Sequence, residues 1–374
     1  MKTILPGETI GIIGGGQLGR MMGQAAKEAG FRIAVLDPTE DSPCGQIADI
    51  KIVAAYDDEE ALNQLAEVSD VITFEFENID YEGLKRLTEK AHVPQGADII
   101  RITQNRIYEK AEITASGAPV APYIAAHTYQ ELEEQIDQIG FPCIVKTAFG
   151  GYDGKGQVKI DAKEQLDEAR PLFEKVSCIA EAFVPFEKEI SVIIQRNAAG
   201  ESYCLPIAEN IHKDHILHES IVPARVDAAI IEKAEEAATQ IANHLDLVGT
   251  LAVEMFVLSD GNIVINELAP RPHNSGHYSI EACNVSQFHQ HVRAVCGWPL
   301  RKPTLWAPSI MVNVLGEHVE PLRKAIPNYP DWSIHLYGKA EAKEKRKMGH
   351  VTIMTNHLDE TLAEIDNSHV WFNK

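Results

Sequence analysis

The chain has 374 residues, 45% hydrophobic and 24% charged, with a formal net charge of −21. At about 150 residues per domain this length predicts two or three globular domains with ample apolar material for their cores. So acidic a chain repels nucleic-acid phosphates and anionic membranes, so neither is an expected partner, and any phosphorylated ligand has to meet a local basic pocket.

Six cysteines, at positions 44, 143, 178, 204, 283 and 296, form no CxxC pair, and no histidine cluster completes a zinc pattern. Buried, reduced thiols are expected. The apolar start Thr3-Ile4-Leu5 is broken by Pro6 and Gly7, and no apolar run approaches the roughly 18 residues of a membrane span, so a cytoplasmic protein is expected.

Residues 9–95 alternate strand and helix. Thr9–Ile13, Arg32–Leu36, Ile50–Ala54 and Val71–Phe76 read as strands, with helices near Gln17–Ala29 and Asp58–Val68. This is a doubly wound α/β pattern around a parallel sheet. Its first turn, Gly14-Gly15-Gly16-Gln17-Leu18-Gly19, reads G-x-G-x-x-G between strand and helix, and Asp37 closes the second strand. The spacing fits a dinucleotide fingerprint in which helix N-terminal amides hold a phosphate. It also fits a small anionic substrate, or glycines serving only a tight turn and close helix–sheet contact.

Over 106–140 two helices are expected, joined through Gly117-Ala118-Pro119. Strands follow at Cys143–Phe149, Val158–Ile160 and Cys178–Val184, with a helix near Lys163–Arg170. The loop from Gly150 to Gln157 holds four glycines in eight residues. It is not a Walker A loop, because Gly156 follows Lys155, but a glycine loop between strands can lay its amides over phosphates. Lys146, among Ile144, Val145 and Ala148, needs an anionic partner unless it snorkels from a sheet edge.

Strands at Glu189–Arg196, Glu201–Pro206 and Ile216–Pro223 look antiparallel, and a helix spans about Asp227–Leu245. A hairpin follows, Thr250–Leu258 and Ile263–Leu268 around Asp260-Gly261. A two-residue type I′ turn there pairs Ser259 with Asn262 and sets Glu254 opposite Glu267. Val253, Met255, Phe256, Val257, Val264 and Ile265 make both faces apolar, so the strands read as buried. Two facing buried carboxylates need a shared proton or a cation, and their oxygens suit Mg²⁺ holding phosphate. A one-residue bulge would turn one glutamate to the other face. If the second strand runs on, Arg271 joins Glu267 and Ala269 on that face, beside the metal. A helix near Ser286–Val295 precedes a small mixed unit at 306–374, with strands at Ser309–Leu315, Ser333–Tyr337 and Val351–Thr355.

Together these parts resemble the ATP-grasp superfamily, and within it the N5-carboxyaminoimidazole ribonucleotide synthetase family, over essentially the whole chain. The most specific pieces are GIIGGGQLGRMM at 11–22, FEFENI at 74–79, GGYDGKGQ at 150–157, NELAPRPHNSGH at 266–277 and KMGH at 347–350. The resemblance implies a mixed α/β and α+β chain with the ATP-grasp fold. An N-terminal doubly wound, pre-ATP-grasp domain (1–105) would bind substrate. A lid domain (106–185), an antiparallel-sheet domain for metal and ATP (186–300) and a small C-terminal domain (301–374) would follow.

It also implies roles. Arg106 and Lys146 look like ligands of the ATP phosphates. Gly151, Tyr152, Asp153, Gly154, Lys155, Gly156 and Gln157 look like the lid loop. Glu181, Ala182, Phe183 and Val184 look like the segment whose backbone meets adenine. Glu189 resembles the ribose ligand, and His212 a further nucleotide contact. Glu254 and Glu267, with Asn266 adjacent, look like the site of two Mg²⁺ ions, for which Mn²⁺ could substitute. Ala269 departs from the superfamily, where an asparagine ligand is common, so water would complete the metal shell.

The substrate end resembles Gln17, Glu75, Tyr152, Asp153, Arg271, His273, Asn274, Ser275, Lys339, Arg346 and Lys347. Asp153, Arg271 and Lys339 are the catalytic candidates. The implied reaction joins aminoimidazole ribonucleotide to bicarbonate through carboxyphosphate, with ATP cleaved to ADP and phosphate, in a homodimer. A formate-dependent glycinamide ribonucleotide transformylase would keep the ATP site and change the acid and the amine. A nicotinamide-dependent oxidoreductase would use Gly14–Gly19 and leave the glutamate pair unexplained.

Overall fold

The computed structural model describes residues 2–150, 156–174 and 176–371. Near the N-terminus four parallel strands, β1 (Thr9–Ile13), β2 (Arg32–Leu36), β3 (Ile50–Ile52) and β4 (Val71–Phe74), form a sheet in the order β3-β2-β1-β4. β1 and β4 are buried along their whole length, as befits strands covered by helices on both faces. Winding reverses between β1 and β4, so a crevice opens outside their carboxyl ends. β4 stops at Phe74, which leaves Glu75 and Phe76 at that crevice rather than in the strand. The unit also holds helices at Tyr81–Lys90, N-capped by Asp80, and at Asp98–Thr103.

The second unit is a four-stranded antiparallel sheet, β5 (Tyr123–Ala126), β6 (Cys143–Thr147), β7 (Gln157–Ile160) and β8 (Cys178–Ala182), in the order β5-β8-β6-β7. β5 lies where helix was expected. Its inward residues Ile124 and Ala126 are buried, and pairing with β8 confines the second helix to Tyr129–Gln135. The Lys163–Arg170 segment is a 3₁₀ run that continues through Pro171 to Glu174.

The third sheet has nine strands among the described residues: β9 (Phe186–Arg196), β10 (Ser202–Cys204), β11 (Ala208–Lys213), β12 (Ile216–Val222), β13 (Gly249–Leu258), β14 (Ile263–Ala269), β15 (Ser309–Leu315), β16 (Ser333–Leu336) and β17 (Lys347–Met354). Its order is β14-β13-β9-β11-β12-β15-β17-β16, with β10 paired to β9. The helix Ala228–His244 lays Ala234, Ala237, Ala238 and Ile241 over Ile190, Val192, Leu251 and Val253. The last strands extend this sheet through the β12–β15 pairing. They carry the 338–347 segment back to the first unit, where the Gln46 side-chain amide donates to the Gly338 carbonyl at 2.8 Å. Packing of Gln17–Glu28 against Gln287–Val295 fixes that first unit on the large sheet.

Candidate active site

Two cavities share one wall. The first, about 490 Å³, lies between the lid sheet and the large sheet. The second, about 610 Å³, lies at the crevice beyond β1 and β4. Arg271, His273, Asn274 and Lys347 line both.

The glutamate hairpin ends in the predicted pairing by a different route. Glu254 does face Glu267. Nearer the turn, however, Met255 faces Ile265 and Val257 faces Ile263, one residue out of the predicted register. The loop is one residue longer than a type I′ turn. Gly261 donates its N–H to the Leu258 carbonyl, Leu258 N–H donates to Asn262 O, and Gly261 is left-handed at φ 74°. Asp-Gly serves that three-residue loop as well as the two-residue one. A bulge at Asn266 then restores the offset. It also turns the adjacent residues Asn266 and Glu267 toward the same cavity, which a regular strand forbids. The strands are therefore not apolar-buried on both faces: Glu254, Phe256 and Val264 are half-buried on the cavity side.

The pair is electrostatically loaded. Burial, then Glu267 and Glu189, push the Glu254 carboxyl well above the usual carboxylate range. Arg106 stands 3.4 Å from Glu267, and His273 Nε2 3.1 Å from Glu254. Among the described residues no group of three or more His, Cys, Asp or Glu forms a ready-made metal cage. Two carboxylates facing a phosphate-sized cavity are the donor set Mg²⁺ uses when nucleotide oxygens supply further ligands, so the residues fit it.

Elsewhere in the first cavity, Lys146 and Gln157 come from β6 and β7, and Glu181, Ala182, Phe183 and Val184 from the end of β8. Lys146 has its anionic partner in Glu181, at 3.2 Å. Burial lowers the Lys146 pKa despite that neighbour, whereas Glu181, penalised by burial, is held below its ordinary range by Lys110 and Lys146. Glu189 and His212, from β9 and β11, line the cavity and meet in an ion-pair contact of Oε2 with Nδ1. Gly156 does not line it; its carbonyl accepts from Thr147 N–H at 2.8 Å. Gly151, Tyr152, Asp153, Gly154 and Lys155 lie outside the described residues.

The second cavity collects Gln17, Glu75, Lys339 and Arg346. The amides expected to hold an exogenous anion are taken by the protein's own: Glu75 accepts from the N–H of Gly16 and of Gly19, the latter at 2.6 Å. A Cβ at Gly16 would stand 2.5 Å from Glu75 Oε1, so the cap requires that glycine. Asp37, the candidate ribose ligand of a dinucleotide fold, accepts from Gly15 N–H at 2.7 Å and Tyr56 OH at 2.6 Å.

Arg271 is not on the strand face of Glu267, because β14 ends at Ala269. Its guanidinium turns to Glu77, Nε to Oε2 at 2.5 Å and Nη2 to Oε1 at 3.0 Å. Burial works against the Glu77 charge, but Arg271 outweighs it and holds the carboxyl low. Ser275 lines neither cavity. It is fully buried and accepts from Ser191 Oγ at 2.7 Å, with His273 Nδ1 at 2.9 Å. Burial, then Arg271 and Lys347, keep His273 neutral. Glu77, Glu109 and Lys110 went unread in the sequence. Glu77 had a signal, an acid inside FEFENI available to Arg271; the helical pattern around Glu109 and Lys110 resembles an ordinary solvated face.

A ribonucleotide synthetase preATP-grasp domain model matches residues 7–104, an ATP-grasp domain model residues 111–288, and a phosphoribosylaminoimidazole carboxylase C-terminal domain model residues 309–364. The N5-carboxyaminoimidazole ribonucleotide synthase of Bacillus subtilis is 50% identical over 373 residues, covering 100% of this chain and 98% of that one. A crystal structure of an N5-carboxyaminoimidazole ribonucleotide synthetase with ADP superposes with a TM-score of 0.96 at 54% identity, covering 99% and 98% of the two chains. The Aspergillus clavatus synthase, in complex with ADP and 5-aminoimidazole ribonucleotide, superposes at 0.90 with 32% identity over 98% of each chain. The chain belongs to the N5-carboxyaminoimidazole ribonucleotide synthase family, ATP-grasp ligases of purine biosynthesis.

Proposed function

We propose that this chain joins bicarbonate to the exocyclic amine of 5-aminoimidazole ribonucleotide while ATP is cleaved to ADP and phosphate. The observation that carries this reading is the wall common to the two cavities, formed by Arg271, His273, Asn274 and Lys347. A carboxyphosphate made against that wall reaches the amine without crossing bulk water, which would hydrolyse it.

In this reading ATP occupies the cavity under the lid. Lys146 and Arg106 meet its phosphates, the β8 backbone meets adenine, and Glu189 with His212 meets the ribose. Glu254 and Glu267 hold Mg²⁺, which when bound neutralises charge developing on the transferred phosphoryl group. Bicarbonate attacks the γ-phosphorus, and Arg271, already oriented by Glu77, holds the anion. The ribonucleotide occupies the crevice beyond β1 and β4, its phosphate toward Lys339, Arg346 and Lys347. Asp153 positions or deprotonates the amine as it takes the carboxyl group. The division at 1–105, 106–185, 186–300 and 301–374 belongs to the same reading; a homodimer and a cytoplasmic setting accompany it through the family alone. Phosphate release from ATP, measured with each candidate amine with and without bicarbonate, tests it. Release should need aminoimidazole ribonucleotide, and equal release with glycinamide ribonucleotide and formate would overturn it.

A further inference from the structure

The bulge that brings Glu267 opposite Glu254 is hydrogen-bonded from outside its sheet. Among the described residues β14 is the last strand of its sheet, and its outer edge meets an isolated bridge, Ile265 to Val120, in place of a full strand. Exposed edges are normally covered, and buried backbone groups there need substitutes for the missing ladder. Here the substitutes come from neighbouring residues of the helix Arg106–Ala115. Lys110 is completely buried, and its Nζ donates to the carbonyls of Ile265 at 3.1 Å and Asn266 at 2.9 Å. Its remaining neighbour is Glu181 Oε2 at 3.4 Å. Glu109, 2% exposed, accepts the N–H of Leu268 at 2.7 Å. Ile265 N–H donates to Pro119 O at 2.8 Å.

The order of these bonds is informative. In a regular strand, consecutive carbonyls point to opposite edges. Ile265 and Asn266 both offer their carbonyls to one ammonium group, which is possible only where the bulge turns the second one round. A lysine removed from water needs polar partners, and this geometry supplies two carbonyl acceptors and one carboxylate within ion-pair range. Lys110 cannot reach nucleotide, since it has no exposed surface.

We propose that Lys110 and Glu109 are positioning residues that lock the register of β14, fixing Glu267 opposite Glu254 in the geometry a shared cation requires. This rests on the reading of the glutamates as a metal pair.

Calorimetric titration of the intact protein with ADP, with and without Mg²⁺, tests this apart from turnover. The wild type should gain affinity from Mg²⁺, and Glu267→Gln should lose that gain. Lys110→Met and Glu109→Leu should each cut it by about tenfold or more, the scale of losing a buried charged hydrogen bond, with metal-free ADP affinity unchanged. Glu109→Gln should keep the gain, because its amide oxygen still accepts from Leu268. Should Lys110→Met fail to fold, the contrast between Leu and Gln at position 109 decides. A gain lost in Glu267→Gln but intact in Lys110→Met and Glu109→Leu overturns the lock alone. A full gain in Glu267→Gln overturns the metal reading and the lock with it.

Discussion

Replacing Glu254 by Gln should abolish turnover and yet stabilise the metal-free protein. Where both carboxyls are ionised, two unit charges about 5 Å apart, in surroundings with an effective dielectric constant of about 20, repel by about 3 kcal/mol. Arg106, 3.4 Å from Glu267, offsets part of that repulsion. A net gain of about 1–2 kcal/mol is therefore expected, or about 1–3 °C in Tm for a chain of this size. The new side chain costs little, because Gln is nearly isosteric with Glu and keeps an oxygen toward His273 Nε2, which stands 3.1 Å from the carboxylate. The Glu267→Gln gain should be smaller, since that change strips Arg106 of its partner.

The pH dependence has a definite sign. Burial and the facing acids raise the folded-state pKa of Glu254 above its unfolded value near 4.3. A group raised in this way favours the folded state fully below the unfolded pKa, and that contribution is lost as pH rises through the folded one. The advantage of Glu254→Gln should thus be absent near pH 4 and grow towards pH 8. Thermal melts at several pH values, with and without Mg·ATP, provide the assay. With Mg·ATP the order should reverse, because only the wild type gains the metal. A metal-free variant less stable than wild type at pH 8, or an equal Mg·ATP shift in both, would refute the reasoning.

Asp153→Asn keeps a turn-forming oxygen but removes a base, so carboxylation should fall by about 10²–10⁴-fold with nucleotide affinity intact; full product formation would remove the catalytic role. Burial, then Arg346, push Lys339 down to about 8, so its charge is lost as pH rises through that value. The KM for the ribonucleotide should climb above pH 8 in the wild type and stay flat in Lys339→Arg, whose guanidinium remains charged; parallel curves would exclude Lys339 from the phosphate site. Calorimetry should detect Mg·ATP and no NAD(H), because Glu75 and Asp37 already hold the amides of the glycine turn; tight nicotinamide binding would contradict that assignment.

Period and turn chemistry made the doubly wound sheet, the lid strands around the glycine loop and the hairpin legible. They did not make the bulge legible. Asp260-Gly261 is compatible with a loop of either length, and the compensating bulge at Asn266 is hydrogen-bonded by Lys110 and Glu109 from a helix about 150 residues earlier in the chain. The glutamate pairing was thus reached through two register errors of opposite sign. β5 escaped notice because Tyr123–Ala126 is too short to display a period, and its strand character comes from β8. Ser275 follows two cavity-lining residues, His273 and Asn274, and its hydrogen bonds to Ser191 and His273 hold it in the interior.

The acidity of the chain sharpens the question of how the second cavity could receive a phosphate at all. Asp37, Asp41, Glu75 and Glu341 line it beside Arg271, Lys339, Arg346 and Lys347. Counted as bare charges the two sets cancel, but they are not equivalent. Glu75 is satisfied by two backbone donors of the turn after β1, and Asp37 by the N–H of Gly15 and Thr39 and the hydroxyl of Tyr56, which offsets their negative potential within the protein. Glu341 leans on Lys343, and Asp41 accepts from Gln46. Arg271 is itself paired to Glu77. Cationic character at the mouth comes from Lys339 and Arg346, carried by the segment between β16 and β17, and from Lys347 at the start of β17. That segment reaches the crevice only because the C-terminal strands extend the large sheet past β12. The doubly wound unit supplies the floor of this pocket, and the far end of another sheet supplies the charge that lets a phosphate enter it.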